Sequence, residues 1–367
     1  MQESVTTLTR DSRSAPGEVQ LPTISRALRV ANLIVIILPF LGFVAVVVSL
    51  WGRGFSWVDL GLLVGMYLVT GLGITVGYHR LFTHRSFETN RAVQFMLGVF
   101  GSMALEGPLL KWAAIHRRHH QHSDTQLDPH SPHREGRGVG EMLRGLWHAH
   151  LGWIFQPEPP NLSHYVKDLR QSKMLRMVSA LFVVWVAIGL LIPAVLGGLL
   201  TGTWMGVATG LLWGGLARIF LVHHVTWSVN SLCHFWGAQP FRTGDDSRNN
   251  VLFGALGLGE GWHNNHHAFP TSARFGLRWW QIDVGYWCIR VLTLLGLASN
   301  VRTSPPMVDD TAGVAAQLNH APRADDLLAA LCSQDAPASL VPNTSAQNAA
   351  EALRHPAVIS KAPRRMT

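Results

Sequence analysis

His263-Asn-Asn-His-His267 is the stretch that decides how this chain reads. Positions i, i+3 and i+4 share one face of a helix, so its three imidazoles project together. The same spacing returns in His116-Arg-Arg-His-His120. A third cluster, His79-Arg-Leu-Phe-Thr-His84, and a lone His234 in Asn230-Ser-Leu-Cys-His234 complete the set. His79 and His84 are five apart, roughly 140° around an α-helix. They converge only if the helix bends or ends, or if the site lies between several helices. Asn230 and His234 stand four apart and share a face.

Neutral imidazole is a good ligand for Fe, Zn and Cu. One zinc takes about four ligands, whereas His79, His84, His116, His119, His120, His234, His263, His266 and His267 offer nine nitrogens. That number suits two metals of higher coordination, and two oxygen-activating irons are the natural candidate. A ligating histidine usually donates its other N–H to a carboxylate or carbonyl. Glu106, Asp124, Asp128, Asp245, Asp246 and Glu260 lie close enough in sequence for some of them to do so; surface charge or helix capping is the alternative for each. His148, His150, His164, His320 and His355 read as isolated solvated or hydrogen-bonded side chains. His122, His130 and His133 either orient ligands or face solvent, and His223-His224 is an interfacial or supporting pair.

Composition says where such a site sits. Of 367 residues, 48% are hydrophobic and only 14% charged, against roughly 25% charged in soluble domains. Apolar stretches cover about 28–50, 57–76, 177–200 and 203–222. At ~1.5 Å per residue each crosses most or all of ~30 Å of hydrocarbon. The run 92–110 is shorter and interrupted by Glu106-Gly-Pro108, and reads as an interfacial or packed helix. Counted as a span, it would put the flanking histidine clusters on opposite sides of the bilayer. The expected fold is an all-α integral membrane protein of two transmembrane hairpins under a helical cytosolic cap, 77–176 and 223–301. Flexible tails, 1–27 and 302–367, flank it.

Among the 30 Lys and Arg, Arg53 lies in the first hairpin turn and Arg218 inside the fourth span; the others fall on one side. The positive-inside rule makes that side, with both termini and every histidine cluster, cytoplasmic. The net charge of +8 is spread between apolar stretches and no nucleic-acid-reading motif is present, so nucleic acid is not expected as a partner. Cys233, Cys288 and Cys332 are too few and too scattered for a disulfide framework. The excess of Arg over Lys leans toward a GC-rich bacterial gene, hence a bacterial plasma membrane.

The three boxes, Asn230 through Gly237, and Gly259-Glu-Gly-Trp-His-Asn-Asn-His-His-Ala-Phe-Pro270 resemble the membrane-bound delta-9 fatty-acyl desaturases. That family includes the stearoyl-CoA desaturases and their bacterial acyl-lipid relatives, and the resemblance covers 28–301. It implies four membrane helices under a cytosolic cap, with two Fe ions on the nine histidines named above. It implies that Asn230 touches a metal through water, and that Thr226 and Trp227 line a kinked acyl tunnel. It implies a cis double bond placed at carbon 9 of a saturated acyl chain, using O2 and two electrons. The animal acyl-CoA enzymes carry Arg-Asp before the second box, where this chain has Ala114-Ile115, and Gly107 replaces a further polar contact to CoA. The carrier is therefore open among acyl-CoA, phospholipid and acyl carrier protein.

No cytochrome-b5-like, iron–sulfur or dinucleotide-binding pattern accompanies the boxes. A separate donor, such as a ferredoxin, a cytochrome or an NAD(P)H reductase, is expected to dock on the cytosolic face. Arg117, Arg118, Arg134, Arg137 and Arg144 offer a basic patch for it, or for lipid head groups. Two rivals share parts of this pattern. A hydroxylase or alkane monooxygenase would use the same histidines. A metal-binding transporter would need ionisable groups within the spans, which hold little beyond Asp59 and Arg218.

Overall fold

In the computed structural model, residues 24–304 are described, apart from 54, 55, 135 and 137. They are mostly helical. Strand Glu88–Thr89 pairs antiparallel with Ala298–Ser299 and joins the two ends of the histidine-bearing region. His320, His355, Cys332 and Arg137, and the tails beyond residues 24 and 304, lie outside the described residues.

Four helical runs among the described residues are long and apolar enough to cross a membrane: Arg26–Leu50, Trp57–Thr83, Phe182–Thr201 and Trp204–His234. Their ends differ from the hydropathy reading in two informative ways. The second and fourth run on, past 76 and 222, until they carry His79 and His234. The third begins late, because the chain breaks at Leu181 after a separate helix, Lys173–Ala180, capped by Ser172. The run 92–110 is likewise two elements, Arg91–Ser102 and Leu109–His122. Neither is a membrane-crossing candidate.

Two segments are wound as π-helix, Gly73–Thr83 and Leu211–Ala217. The i→i+5 bond from His84 N–H to His79 O is 3.1 Å. This winding answers the five-residue spacing: it returns residue i+5 toward the face of residue i. The two rings end 4.9 Å apart between centroids.

Close helix contacts rest on glycine where the backbones touch. A Cβ on Gly73 would meet Gly101 N at 2.2 Å and Phe100 C at 2.4 Å. Helix Arg91–Ser102 therefore presses backbone to backbone against the π segment that bears His79. Arg218 is fully buried and donates to the carbonyls of Gly214, Gly189 and Met103 at 3.1, 3.1 and 2.7 Å. It ties the fourth helical run to the third and to the turn after Arg91–Ser102, which answers the sequence question of what an intramembrane arginine does.

Gly73→Ala is expected to cost about 1–3 kcal/mol by overpacking against backbone. Gly61→Ala and Gly65→Ala, where an added Cβ meets nothing within 4 Å, should be neutral or slightly stabilising. Thermal unfolding of the three variants in one detergent measures this; equal melting temperatures would contradict the close-packing account.

Candidate metal centre

The nine histidines converge as two groups. His79, His84, His116, His120 and His266 form one; His119, His234, His263 and His267 form the other. Within each group the candidate ligand nitrogens all lie within 4.8 Å of one another. Helix Leu109–His122 supplies both groups, as does the six-residue helix His263–Ala268. The two groups are therefore neighbours, with ring centroids of His120 and His267 4.5 Å apart.

Carboxylates on the outer side decide which nitrogen faces inward. His79 Nδ1 meets Glu260, His119 Nδ1 meets Asp128 at 3.0 Å, His234 Nδ1 meets Asp124 at 2.8 Å, and His267 Nδ1 meets Asp245 at 2.6 Å. Each carboxylate accepts the Nδ1–H and leaves a bare lone pair on Nε2. Burial alone would raise these acids, but the nearby imidazoles outweigh it: Asp124 is held at about 2, and Asp128, Asp245 and Glu260 lie below the usual range. Four of the six acids singled out in the sequence thus face one of the nine candidate ligands. The other two do not. Glu106 accepts from Trp112 Nε1, and its carboxyl is pushed up to about 7, chiefly by burial. Asp246 lies 3.6 Å from His133 and donates its backbone N–H to Asp124.

Inside the two groups the contacts do not satisfy one another. His266 Nε2 lies 3.0 Å from His79 Nε2 and 2.9 Å from His120 Nε2, which is itself 3.0 Å from His116 Nε2. His234 Nε2 lies 2.9 Å from His263 Nε2, and His119 Nε2 3.4 Å from His267 Nε2. A nitrogen carries at most one proton, so facing lone pairs remain. Protonating the rings is not the remedy. Burial first, then the crowding of like groups, holds His84, His116, His120, His263 and His266 well below the ordinary histidine range. Imidazoles gathered with their nitrogens inward, in sets of five and four, fit divalent transition-metal cations, and they fit nothing else so well.

The supports reach further than sequence reasoning did. Buried Arg80 clamps Glu260 and Asp283 at 3.0 and 2.9 Å, and Thr75 also donates to Glu260. Gly259 has φ +114 and any Cβ there would strike Asp283. The two asparagines inside the 263–267 box anchor its short helix. Asn265 donates to Phe275 O at 2.8 Å and exchanges bonds with Asn249, while Asn264 brackets the Phe241 backbone. Their place between ligand candidates was the available signal. One expectation is corrected: Arg117 is not a free docking cation. Its guanidinium is spent on the carbonyls of Phe82, Thr83 and Tyr165 and on Asp168.

His148 is buried and contacts Arg134 and Pro129 O, and His150 contacts Ser231 and His224. His130 lies tilted against His119, their ring centroids 4.5 Å apart, and His133 reaches the His234 carbonyl. These four are supports lying outside both groups. A cavity of about 900 Å³ adjoins the site, near the upper end of the usual ~300–1,000 Å³ range for ligand sites. Its wall includes His79, His116 and His263, and also Thr226, Trp227 and Asn230. Most of the remaining wall is aliphatic or aromatic.

Residues 55–287 match the Fatty acid desaturase family. A hex-5-enoyl-[acyl-carrier protein] acetylenase of Moorena producens is 44% identical over 72% of this chain and 84% of its own length. An sn-1 stearoyl-lipid 9-desaturase of Anabaena variabilis is 39% identical over 68% of this chain and 85% of its own. An acyl-CoA C20 Delta5-desaturase of Anemone leveillei is 36% identical over 68% and 75%. The relatives differ in carrier and in the bond they act on. What they share with this chain settles its class: it belongs to the fatty acid desaturase family and is an oxidoreductase acting on fatty acids.

Proposed function

We propose that this protein introduces a cis double bond, at carbon 9, into a saturated acyl chain. The overall change is R-CH2-CH2-R′ + O2 + 2e⁻ + 2H⁺ → R-CH=CH-R′ + 2H2O, with both electrons from a separate donor protein. The observation that carries this reading is the meeting of two inward-facing imidazole sets with one apolar cavity. An unactivated methylene is inert to acids, bases and nucleophiles, so its oxidation needs a redox metal. Position 9 draws on the stearoyl-lipid and palmitoyl-lipid 9-desaturases among the relatives.

In this reading five histidines hold one iron, four hold the other, and Asn230, beside His263 in the cavity wall, completes the second set through water. The irons, when bound, supply oxygen activation and electron storage. The chain's own residues do the rest. Glu260, Asp128, Asp124 and Asp245 fix the imidazole tautomers, with Arg80 fixing Glu260. Thr226 and Trp227 shape the acyl cavity so that one methylene pair lies beside His79, His116 and His263. The apolar wall keeps bulk water from the oxidant. The spans sit in a bilayer with both termini and the histidines on the cytoplasmic side. The membrane is a bacterial plasma membrane, as the Arg excess suggests.

Gas chromatography with mass spectrometry of fatty acids from a desaturase-deficient host tests the reaction. A cis-9 monounsaturated acid should appear with the full chain and vanish with His120→Ala or His267→Ala. A hydroxy acid would instead indicate a monooxygenase on the same scaffold. Metal analysis of the purified protein should give about two irons per chain. Asp128→Asn and Asp245→Asn should weaken iron retention about 10–100-fold against chelator, as loss of an outer carboxylate does. Unchanged retention would argue that these acids do not support ligands.

A further inference from the structure

The cavity beside the histidines is not sealed by the helices around it. Ile34, near the start of the first helix, is 56% exposed, and Val183, at the start of the third membrane-crossing candidate, is 74% exposed. Both also line the cavity. A side chain faces outside and inside at once only on a rim, so the cavity opens sideways between these two helices. From that rim the wall continues along Val186, Val222 and Val225 to Thr226, and ends at His79, His116 and His263. Asn32 donates to Ile154 O at 2.8 Å and ties the first helix to the segment after helix Val139–His150, which also lines the cavity.

The other approach to the cavity is different in kind. There the wall carries Lys111 and Glu158, paired at 2.5 Å, beside Pro157, Pro159 and Pro160. A water-borne acyl carrier would have to thread its chain past that pair. An acyl chain already in the bilayer meets Ile34 and Val183 at the rim, where the nearby Asn32 amide is spent on Ile154 O, and keeps an apolar environment on the way in. Its sister chain stays in lipid, so the whole molecule never leaves the membrane.

We propose that the substrate is an acyl chain still esterified to a membrane glycerolipid, which enters laterally between Ile34 and Val183. This rests on the desaturase reading and on the four apolar runs lying in the bilayer.

The test uses the full iron-loaded chain in lipid nanodiscs, with its electron donor. A phosphatidylglycerol bearing a diazirine on its acyl chain should label residues 222–230, mapped by peptide mass spectrometry. The double variant Ile34→Trp/Val183→Trp should cut that labelling at least ten-fold. Val195→Trp, on the lipid-facing side of the same third helix, should leave it unchanged. In parallel, deuterated stearoyl groups are offered on the bilayer lipid, on CoA and on acyl carrier protein. Desaturation of the lipid-borne chain, lost with the rim variant, agrees with lateral entry. Labelling confined to outer helix faces, insensitivity to the rim tryptophans, or turnover of the water-borne thioesters alone would overturn it while leaving a desaturase. Absence of turnover with all three carriers would instead remove the desaturase reading itself.

Discussion

Lone pairs aimed at one another are the constraint on which the structure depends. Five imidazoles in one group and four in the next turn ring nitrogens toward one another, and they cannot all pair among themselves. A buried polar group without a partner costs free energy, and His119 Nε2 and His267 Nε2, whose Nδ1 protons both go to carboxylates, face each other without a donor. The ring of acids outside makes the arrangement definite, because each carboxylate takes the Nδ1 proton and turns Nε2 inward. Arg80 and Thr75 in turn hold Glu260, and Asn249 holds Asn265. The polar core is therefore layered: imidazoles at the centre, around the proposed cation sites, then carboxylates, then arginine, hydroxyl and amide. Such networks are stable only when satisfied throughout.

Much of this was legible in residue spacing. The i, i+3, i+4 boxes announced two faces of helix, and the apolar stretches announced four long helices. What spacing could not say was how His79 and His84 meet. An ideal helix separates them, and no residue pattern marks a π segment; the winding follows from tertiary packing, with Gly73 pressed onto Gly101. The division of nine histidines into five and four was equally hidden. Neighbours in sequence, His119 and His120, belong to different groups because adjacent residues stand about 100° apart on a helix and so diverge within the shared face.

Other features were hidden because their signals are generic. Arginines clustered near a box look like a basic patch, yet half-buried Arg117 is spent on carbonyls and Asp168, where charge-assisted bonds tie the end of the first box to the second. Asn264 and Asn265 look like spacers, but a six-residue helix cannot sustain itself. It takes its shape from the amide bonds these residues make to 241, 249 and 275.

That short helix has a consequence for how the protein is made. On the proposed assignment it gives His266 to one metal and His263 and His267 to the other, so neither set is complete before it is in place. It is also synthesised after all four apolar runs. Chains are built from the N-terminus, and earlier parts settle first. Insertion into the membrane thus precedes metal capture, and both irons wait for one late turn of helix to close behind them. Chains that stop before this helix would lack one candidate of the first set and two of the second, so on that assignment complete metal loading reports that synthesis has passed it.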